Sequence, residues 1–140
     1  MSGLVGWIDY RRDLGREHDV AHSMVSTMRG RGPDIGGLWM SPQAVVGFRG
    51  LFTGEVVDDQ VPVRLETGGG TVVAALVGTL YNAAELRREI EAATGPLKAA
   101  TDTEILLRSF LLWGDQFVER LDGMFGFAIW DDRARRLLLG

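Results

Sequence analysis

One uninterrupted apolar segment, Thr71–Val77 (TVVAALV), limits the fold of this chain more than any other feature. Its length and its β-branched residues are typical of a strand, but apolar and polar side chains do not alternate along it. Such a strand is buried on both faces, so it requires a domain built in layers. A clear turn, Gly68–Gly70, precedes it, and residues 50–70 are otherwise predicted to be irregular.

Further strands and helices are predicted on both sides of this segment. Short apolar runs bounded by turn residues predict strands over Gly3–Asp9, Gly37–Met40, Ala44–Phe48, Met124–Trp130 and Leu137–Leu139, the last two forming a hairpin. Apolar residues at helical spacing predict helices over Glu17–Met28, after Asn82, over Ile105–Trp113 and, more briefly, over Asp115–Leu121. Asn82 and Thr101 are each followed three residues later by glutamate, a pattern typical of helix N-termini. The order of elements predicts a mixed α/β domain of sheet and helix layers.

The bulk properties are those of an ordinary globular domain. The 140 residues fit one domain, and 46% of them are hydrophobic against 24% charged. A net charge of −4 and a pI of about 5.1 give no support to a nucleic-acid partner. Two small basic clusters, Arg11–Arg12 and Arg133–Arg136, are interpreted as solvated turns.

Residues that serve disulfides, metals or membranes are scarce. The absence of cysteine excludes disulfides and thiolate metal sites, and it fits a reducing compartment. His18 and His22 share a helix face, but no third ligand is near them in sequence, so no metal site is predicted. No apolar run approaches the roughly 20 residues of a membrane span, and no signal segment is present. We therefore expect a soluble cytoplasmic protein without a membrane partner.

The chain stops at Leu138–Gly140, inside an apolar strand pattern. Natural domains rarely end on an unprotected apolar strand. We therefore expect the domain over residues 1–140 to be incomplete at its C-terminus, with more protein following.

Five local strings stand in a characteristic order along the chain. They are Met1–Gly6 (MSGLVG), Arg31–Asp34 (RGPD), Gly78–Asn82 (GTLYN), Thr101–Glu104 (TDTE) and Glu119–Asp131 (ERLDGMFGFAIWD). Each is a weak motif alone, but together, in register over essentially the whole chain, they are a strong signal. In order and spacing they resemble the class II glutamine amidotransferase domain of glutamine-hydrolysing asparagine synthetases.

The resemblance implies an α+β fold of the N-terminal-nucleophile hydrolase type, an αββα sandwich with two antiparallel sheets between helical layers. It implies that the initiator methionine is removed and that the next residue attacks the side-chain amide of glutamine. The released ammonia would pass to a C-terminal synthetase domain of the same polypeptide, which uses ATP and Mg. We expect that domain downstream and no cofactor within residues 1–140. A homodimer is a further expectation, because family members often dimerise.

Three site positions depart from the family pattern. Ser2 stands where the resemblance places the nucleophilic cysteine, and a hydroxyl ionises far less readily than a thiol. Val77 replaces an asparagine whose amide binds the developing oxyanion, and loss of one such donor typically costs about 10²–10³ in rate. Thr79 replaces a carboxylate that helps to hold the amino group of the substrate. Because all three have changed in one chain, we predict that glutaminase activity is lost.

Other parts of the pocket are retained. Gly78 could still offer a residual oxyanion N–H, although a tight turn explains it equally well. Arg49 matches the arginine that binds the glutamine α-carboxylate, and Asp102 matches the aspartate that binds the α-ammonium. An ordinary surface arginine and a carboxylate at a helix N-terminus explain these two equally well. Arg31–Asp34 is interpreted as a rigid turn in which Asp34 bonds local backbone N–H groups.

The chain is therefore interpreted as a degenerate paralogue, similar to the N-terminal domains of beta-lactam synthetases and lasso-peptide macrolactam synthetases, which serves as a scaffold for its synthetase domain. Three alternatives remain open at this point. One is an active glutamine-hydrolysing asparagine synthetase or amidotransferase that uses Ser2. The second is a conventional synthetase with an engineered Ser2, although one engineered change would not alter Val77 and Thr79 as well. The third is a stand-alone module that binds glutamine or another amino acid through Arg49 and Asp102.

Overall fold

The strands form two antiparallel sheets, which a computed structural model describes over residues 2–51, 61–98 and 100–140. The smaller sheet contains β1 (Gly3–Ile8), β2 (Ile35–Met40) and β3 (Ala44–Gly50). The larger sheet contains β4 (Val63–Thr67), β5 (Gly70–Leu80), β6 (Gly123–Asp131) and β7 (Arg136–Leu139). The strand orders are β1-β3-β2 and β4-β5-β6-β7, so the buried strand predicted from the sequence, β5, lies inside the larger sheet.

Three α-helices lie outside the sheets. They are α1 (His18–Ser26), α2 (Ala83–Thr94) and α3 (Asp102–Trp113), with 3-10 turns over Leu14–Arg16 and Gly114–Arg120. The predicted cap of α3 is confirmed, because the Thr101 hydroxyl accepts a hydrogen bond of 3.3 Å from the backbone N–H of Glu104. Gly114 ends the helix with a φ of +63°, a conformation that favours glycine.

Three apolar clusters show how the layers stack. The largest lies between the four-stranded sheet and helices α2 and α3, and it buries Leu106 completely. The second fills the space between the two sheets, where Phe48 of β3 meets Trp130 of β6. The third joins Ala21 of α1 to Val45 on the outer face of the three-stranded sheet. The molecule is therefore a four-layer sandwich with helices outside and two sheets inside.

β5 is buried on both faces, as its sequence predicts. Val72, Ala74 and Leu76 pack into the cluster beneath α2 and α3. Val73 and Ala75, which alternate with them, pack into the cluster between the sheets. Because neither face of Val72–Leu76 meets water, this part of β5 needs no polar residue at alternate positions.

Three expectations about local structure are wrong. Residues 63–67, predicted to be irregular, form β4, whereas residues 52–60 of the same stretch lie outside the described part of the chain. The apolar residues whose spacing predicts the first helix should share its buried face, but Val20, one of them, is 45% exposed. α2 begins where the sequence predicts, at Ala83, but the Asn82 side chain makes no capping hydrogen bond. The other predicted strands and helices are confirmed with small shifts at their ends.

Within the described ranges, no helix combines the length and the apolar character that crossing a membrane requires.

Candidate functional site

Ser2 lies half-buried at the start of β1, beside the end of β3. Gly3 pairs with Arg49 across the two strands. A Cβ placed on Gly50 would lie 3.6 Å from Ser2 Oγ, so the hydroxyl faces the last residue of β3. The Ser2 carbonyl accepts a hydrogen bond of 3.4 Å from Arg31 Nε, which brings the turn before β2 to the same place.

The Arg49 side chain fastens this turn to β3. Its Nε donates to the carbonyl of Gly32 at 2.7 Å, and its Nη2 donates to the carbonyl of Pro33 at 2.8 Å. Gly36, its partner in β2, leaves room for the guanidinium, since a Cβ there would lie 2.6 Å from Arg49 Nη1. A Cβ on Gly32 would overlap the backbone nitrogen of Gly50. The Arg-Gly-Pro-Asp segment therefore lies directly against the end of β3.

Gly78 belongs to the strand rather than to a turn. It lies within β5 and pairs with Phe125 of β6, so its interpretation as a tight turn is wrong. Its φ of +96° favours glycine. A Cβ at this position would overlap the carbonyl oxygen of Met124. Both the conformation and the contact therefore demand glycine here.

Val77 and Thr79 lie on either side of this glycine in different environments. The Val77 side chain is partly buried and packs against the apolar cluster between the sheets. Thr79 is exposed and pairs with Met124, which is 74% exposed. Because valine has no polar hydrogen, the side chain at position 77 cannot donate to an oxyanion.

Asp102 lies at the first turn of α3 and reaches the end of β5. Its Oδ2 accepts a hydrogen bond of 2.8 Å from the backbone N–H of Leu80. The carboxylate thus joins the helix to the strand that carries Gly78. This contact is more specific than the general effect of a carboxylate near a helix N-terminus.

The predicted site residues form two groups beside one apolar core. Ser2, Arg49 and the Arg31–Asp34 turn meet at one end of the three-stranded sheet. Val77, Gly78, Thr79 and Asp102 meet at the end of β5. Leu4 and Phe48 from the first sheet pack in the same inter-sheet cluster as Val77. The two groups therefore flank a common core, one on each sheet.

The sequence interpretation missed a structural role of Asn82. Its Nδ2 donates to the carbonyl of Arg120 at 2.7 Å, and its Oδ1 accepts from the backbone N–H of Asp122 at 3.0 Å. The backbone N–H of Tyr81 also donates to the Asp122 carbonyl at 2.7 Å. Three hydrogen bonds therefore hold the end of β5 against the segment that leads into β6, and we call this set of bonds the bracket. The only local signal was the capping pattern, which predicts a different partner.

The carboxyl groups with displaced pKa values lie elsewhere in the described chain. Asp131 is almost fully buried, and its hydrogen bonds from the Arg133 side chain lower its pKa. Asp115 has its pKa lowered by Arg136. Glu91 has its pKa lowered first by the backbone N–H of Leu97 and then by the Arg87 side chain. Each is explained by a structural contact, so none points to a catalytic acid or base.

Comparison with known proteins identifies the family of the chain. The sequence pattern of a family described as a glutamine amidotransferase domain matches residues 1–140. The chain belongs to the class II glutamine amidotransferase domains of the asparagine synthetase family. Relatives include asparagine synthetase 3 of Bacillus subtilis, 33% identical over 99% of this chain and 22% of that protein. Asparagine synthetase B of Escherichia coli is 29% identical over 100% of the chain and 25% of its own length.

A solved structure supports the fold of this amidotransferase domain. Glutamine phosphoribosylpyrophosphate amidotransferase from B. subtilis superimposes with a TM-score of 0.53 at 23% identity, over 64% of this chain and 21% of that one. The predicted N-terminal-nucleophile hydrolase sandwich is thereby confirmed. The chain spans about a quarter or less of the length of these synthetase relatives.

Proposed function

We propose that this chain is the N-terminal domain of an ATP-dependent amide-forming enzyme, that its own glutamine hydrolysis is lost, and that it serves as a scaffold for a synthetase domain. The observation that carries the proposal is the partly buried side chain of Val77, which packs against the inter-sheet cluster and has no polar hydrogen to donate. The family position of the oxyanion amide is therefore filled by apolar packing.

The nucleophile position supports the same conclusion. A cysteine at position 2 would be a few per cent thiolate at neutral pH, whereas the Ser2 hydroxyl depends wholly on a base. The only group in its own residue that could serve is the α-amine, which requires removal of Met1. A weak nucleophile combined with a missing oxyanion donor leaves little transition-state stabilisation.

The family relatives also suggest what the intact protein contains beyond this domain. Synthetase relatives extend far beyond the matched region, which supports a synthetase domain fused to this one. That domain would hold ATP and Mg and would activate a carboxylate for attack by an amine. If this domain supplies no ammonia, an internal amine is the fitting nucleophile, and the product would be a macrolactam or a beta-lactam. The compartment we propose is the cytoplasm, because the chain contains no cysteine.

A glutaminase assay on the intact protein tests the loss of hydrolysis. Wild type is compared with Ser2→Ala, which sets the background because it has no nucleophile at that position. We expect the two to release glutamate at the same rate, after mass spectrometry has verified removal of Met1. Release by wild type above Ser2→Ala would overturn the proposal and favour an active hydrolase that uses Ser2.

A second pair of variants tests why activity is lost. Ser2→Cys restores the family nucleophile, and Ser2→Cys with Val77→Asn restores the oxyanion donor as well. We expect the double variant to exceed Ser2→Cys by roughly 10²–10³-fold in rate. If the two variants are equal, position 77 is not the missing donor.

A further inference from the structure

Asp102 makes a contact that its proposed role as an amino-acid ligand does not require. Its Oδ2 accepts a hydrogen bond from the backbone N–H of Leu80, a residue that is 3% exposed. The next amide, that of Tyr81 directly after β5, donates to the Asp122 carbonyl. The backbone amides of Leu80 and Tyr81 therefore bond to two different segments, the first turn of α3 and the segment before β6.

The acceptor is a side-chain oxygen 2.8 Å from the Leu80 nitrogen, a good hydrogen-bond distance that an amide oxygen at the same position can also provide. A backbone N–H that loses its partner in a poorly hydrated place opens more often. Thr79 and Gly78 directly precede Leu80, and a Cβ on Gly78 would overlap the Met124 carbonyl oxygen, so the end of β5 lies close against β6. We expect a change at Leu80 to reach Gly78 and Thr79, because they belong to the same strand end.

We propose that Asp102 is a positioning residue, which clamps the end of β5 through the Leu80 N–H and thereby fixes Gly78 and Thr79. This role explains why Asp102 persists in a chain in which Ser2, Val77 and Thr79 depart from the family pattern. Arg49 is similar in that its guanidinium holds the Gly32–Pro33 turn. Arg49 and Asp102, the two residues that match the family pattern, therefore both make hydrogen bonds that hold the backbone of the fold in place.

The inference goes beyond the proposed function, because the clamp operates whether or not the domain hydrolyses glutamine. Its test is therefore separate from the glutaminase assay. Amide hydrogen exchange of the intact protein measures how often Leu80 and its neighbours open. Two variants separate the clamp from other roles, since Asp102→Ala removes the acceptor and Asp102→Asn keeps a neutral acceptor in the same position.

We expect Asp102→Ala to speed exchange in Gly78–Tyr81 by about tenfold or more, with no change in β1. Asp102→Asn should remain close to wild type. If the carboxylate acted only on the dipole of α3, the two variants would behave alike, because both lack the charge. Equal, fast exchange in both variants would therefore overturn the proposal, as would unchanged exchange in Asp102→Ala.

Asp19, in the first turn of α1, provides a matched control. Asp19→Ala and Asp19→Asn change the same kind of helix position on the opposite side of the molecule. Neither should alter exchange in Gly78–Tyr81. If Asp102→Ala does not fold, Asp102→Asn decides alone: exchange near wild type supports the clamp, and exchange tenfold faster refutes it.

Discussion

Gly78 and Gly95 have almost the same φ, +96° and +95°, but different surroundings. A Cβ on Gly78 would meet the Met124 carbonyl oxygen and the Cα of Phe125, whereas nothing lies within 4 Å of a Cβ on Gly95. The pair therefore separates backbone strain from steric contact. The strain is common to both positions, and the contact belongs to Gly78 alone.

We expect Gly95→Ala to lower the free energy of unfolding by about 1–3 kcal/mol through strain alone. Gly78→Ala should cost roughly a further 1–3 kcal/mol, because the β6 backbone must move. Urea titration of both variants measures the difference. If both variants lose the same free energy of unfolding, the backbone of β6 can move away from an added Cβ at little cost. The site would then be less rigid than the contact implies.

The residues of the site could be named from the sequence, but their contacts could not. The resemblance identifies Ser2, Arg49 and Asp102 by position in a family pattern. The partners of Arg49 and Asp102 are backbone groups that are 16, 17 and 22 residues away. Nothing in the local sequence of either residue points to these groups, because the layers of the fold bring them together.

At the level of elements, the missed strand β4 did have a sequence signal. Val63–Thr67 reads Val-Arg-Leu-Glu-Thr, and its exposure alternates in step with the apolar and polar residues. The strand is only five residues long and lies between Pro62 and a glycine turn, so its alternation is difficult to recognise in a segment that otherwise looks irregular. The alternation fits an edge strand that packs on one face only.

Asn82 and Thr101 illustrate the limit of local patterns. Both precede a helix, and both are followed three residues later by glutamate. Thr101 caps its helix, whereas Asn82 bonds to the backbone of Arg120 and Asp122. The sequence predicts both helix starts correctly, but it cannot tell a local partner from a distant one.

Asn82→Asp is expected to lower the free energy of unfolding by about 0.5–1.5 kcal/mol, the usual net contribution of one hydrogen bond. Aspartate is as good a helix cap as asparagine, but it cannot donate to the Arg120 carbonyl. Thr101→Asp is the control, because it preserves a true cap and should be nearly neutral. Thermal unfolding of both variants measures the effect, and a neutral Asn82→Asp would show that the bond of the bracket from Asn82 to the Arg120 carbonyl contributes nothing to stability.

For the whole molecule, acidic conditions should remove stability. Asp131, Asp115 and Glu91 all have lowered pKa values in the folded protein. The unfolded chain therefore binds protons more readily than the folded one. The stability that these groups supply is complete above their ordinary values of 3.8 and 4.5, and it is lost as the pH falls through the lower folded values.

Asp131→Asn tests this dependence at the most buried of the three carboxyls. We expect it to lower the free energy of unfolding by about 1–3 kcal/mol at pH ~7, where Asp131 accepts charged hydrogen bonds from Arg133. The difference from wild type should begin to shrink as the pH falls below about 3.8, because the unfolded wild-type chain then starts to bind a proton at Asp131. Asp19→Asn, on an exposed helix face, should change neither value, and a constant difference for Asp131→Asn would contradict the expected pH dependence.

The position of β1 has a practical consequence. Within the described chain, β1 is an outer strand of its sheet, and Ser2 opens it with its hydroxyl beside Gly50. An affinity tag or cloning remnant fused in front of Ser2 would block the amine that any hydrolase of this architecture needs. Inactivity of such a recombinant sample would not distinguish a blocked amine from a lost active site, so the native N-terminus has to be generated before glutaminase activity is measured.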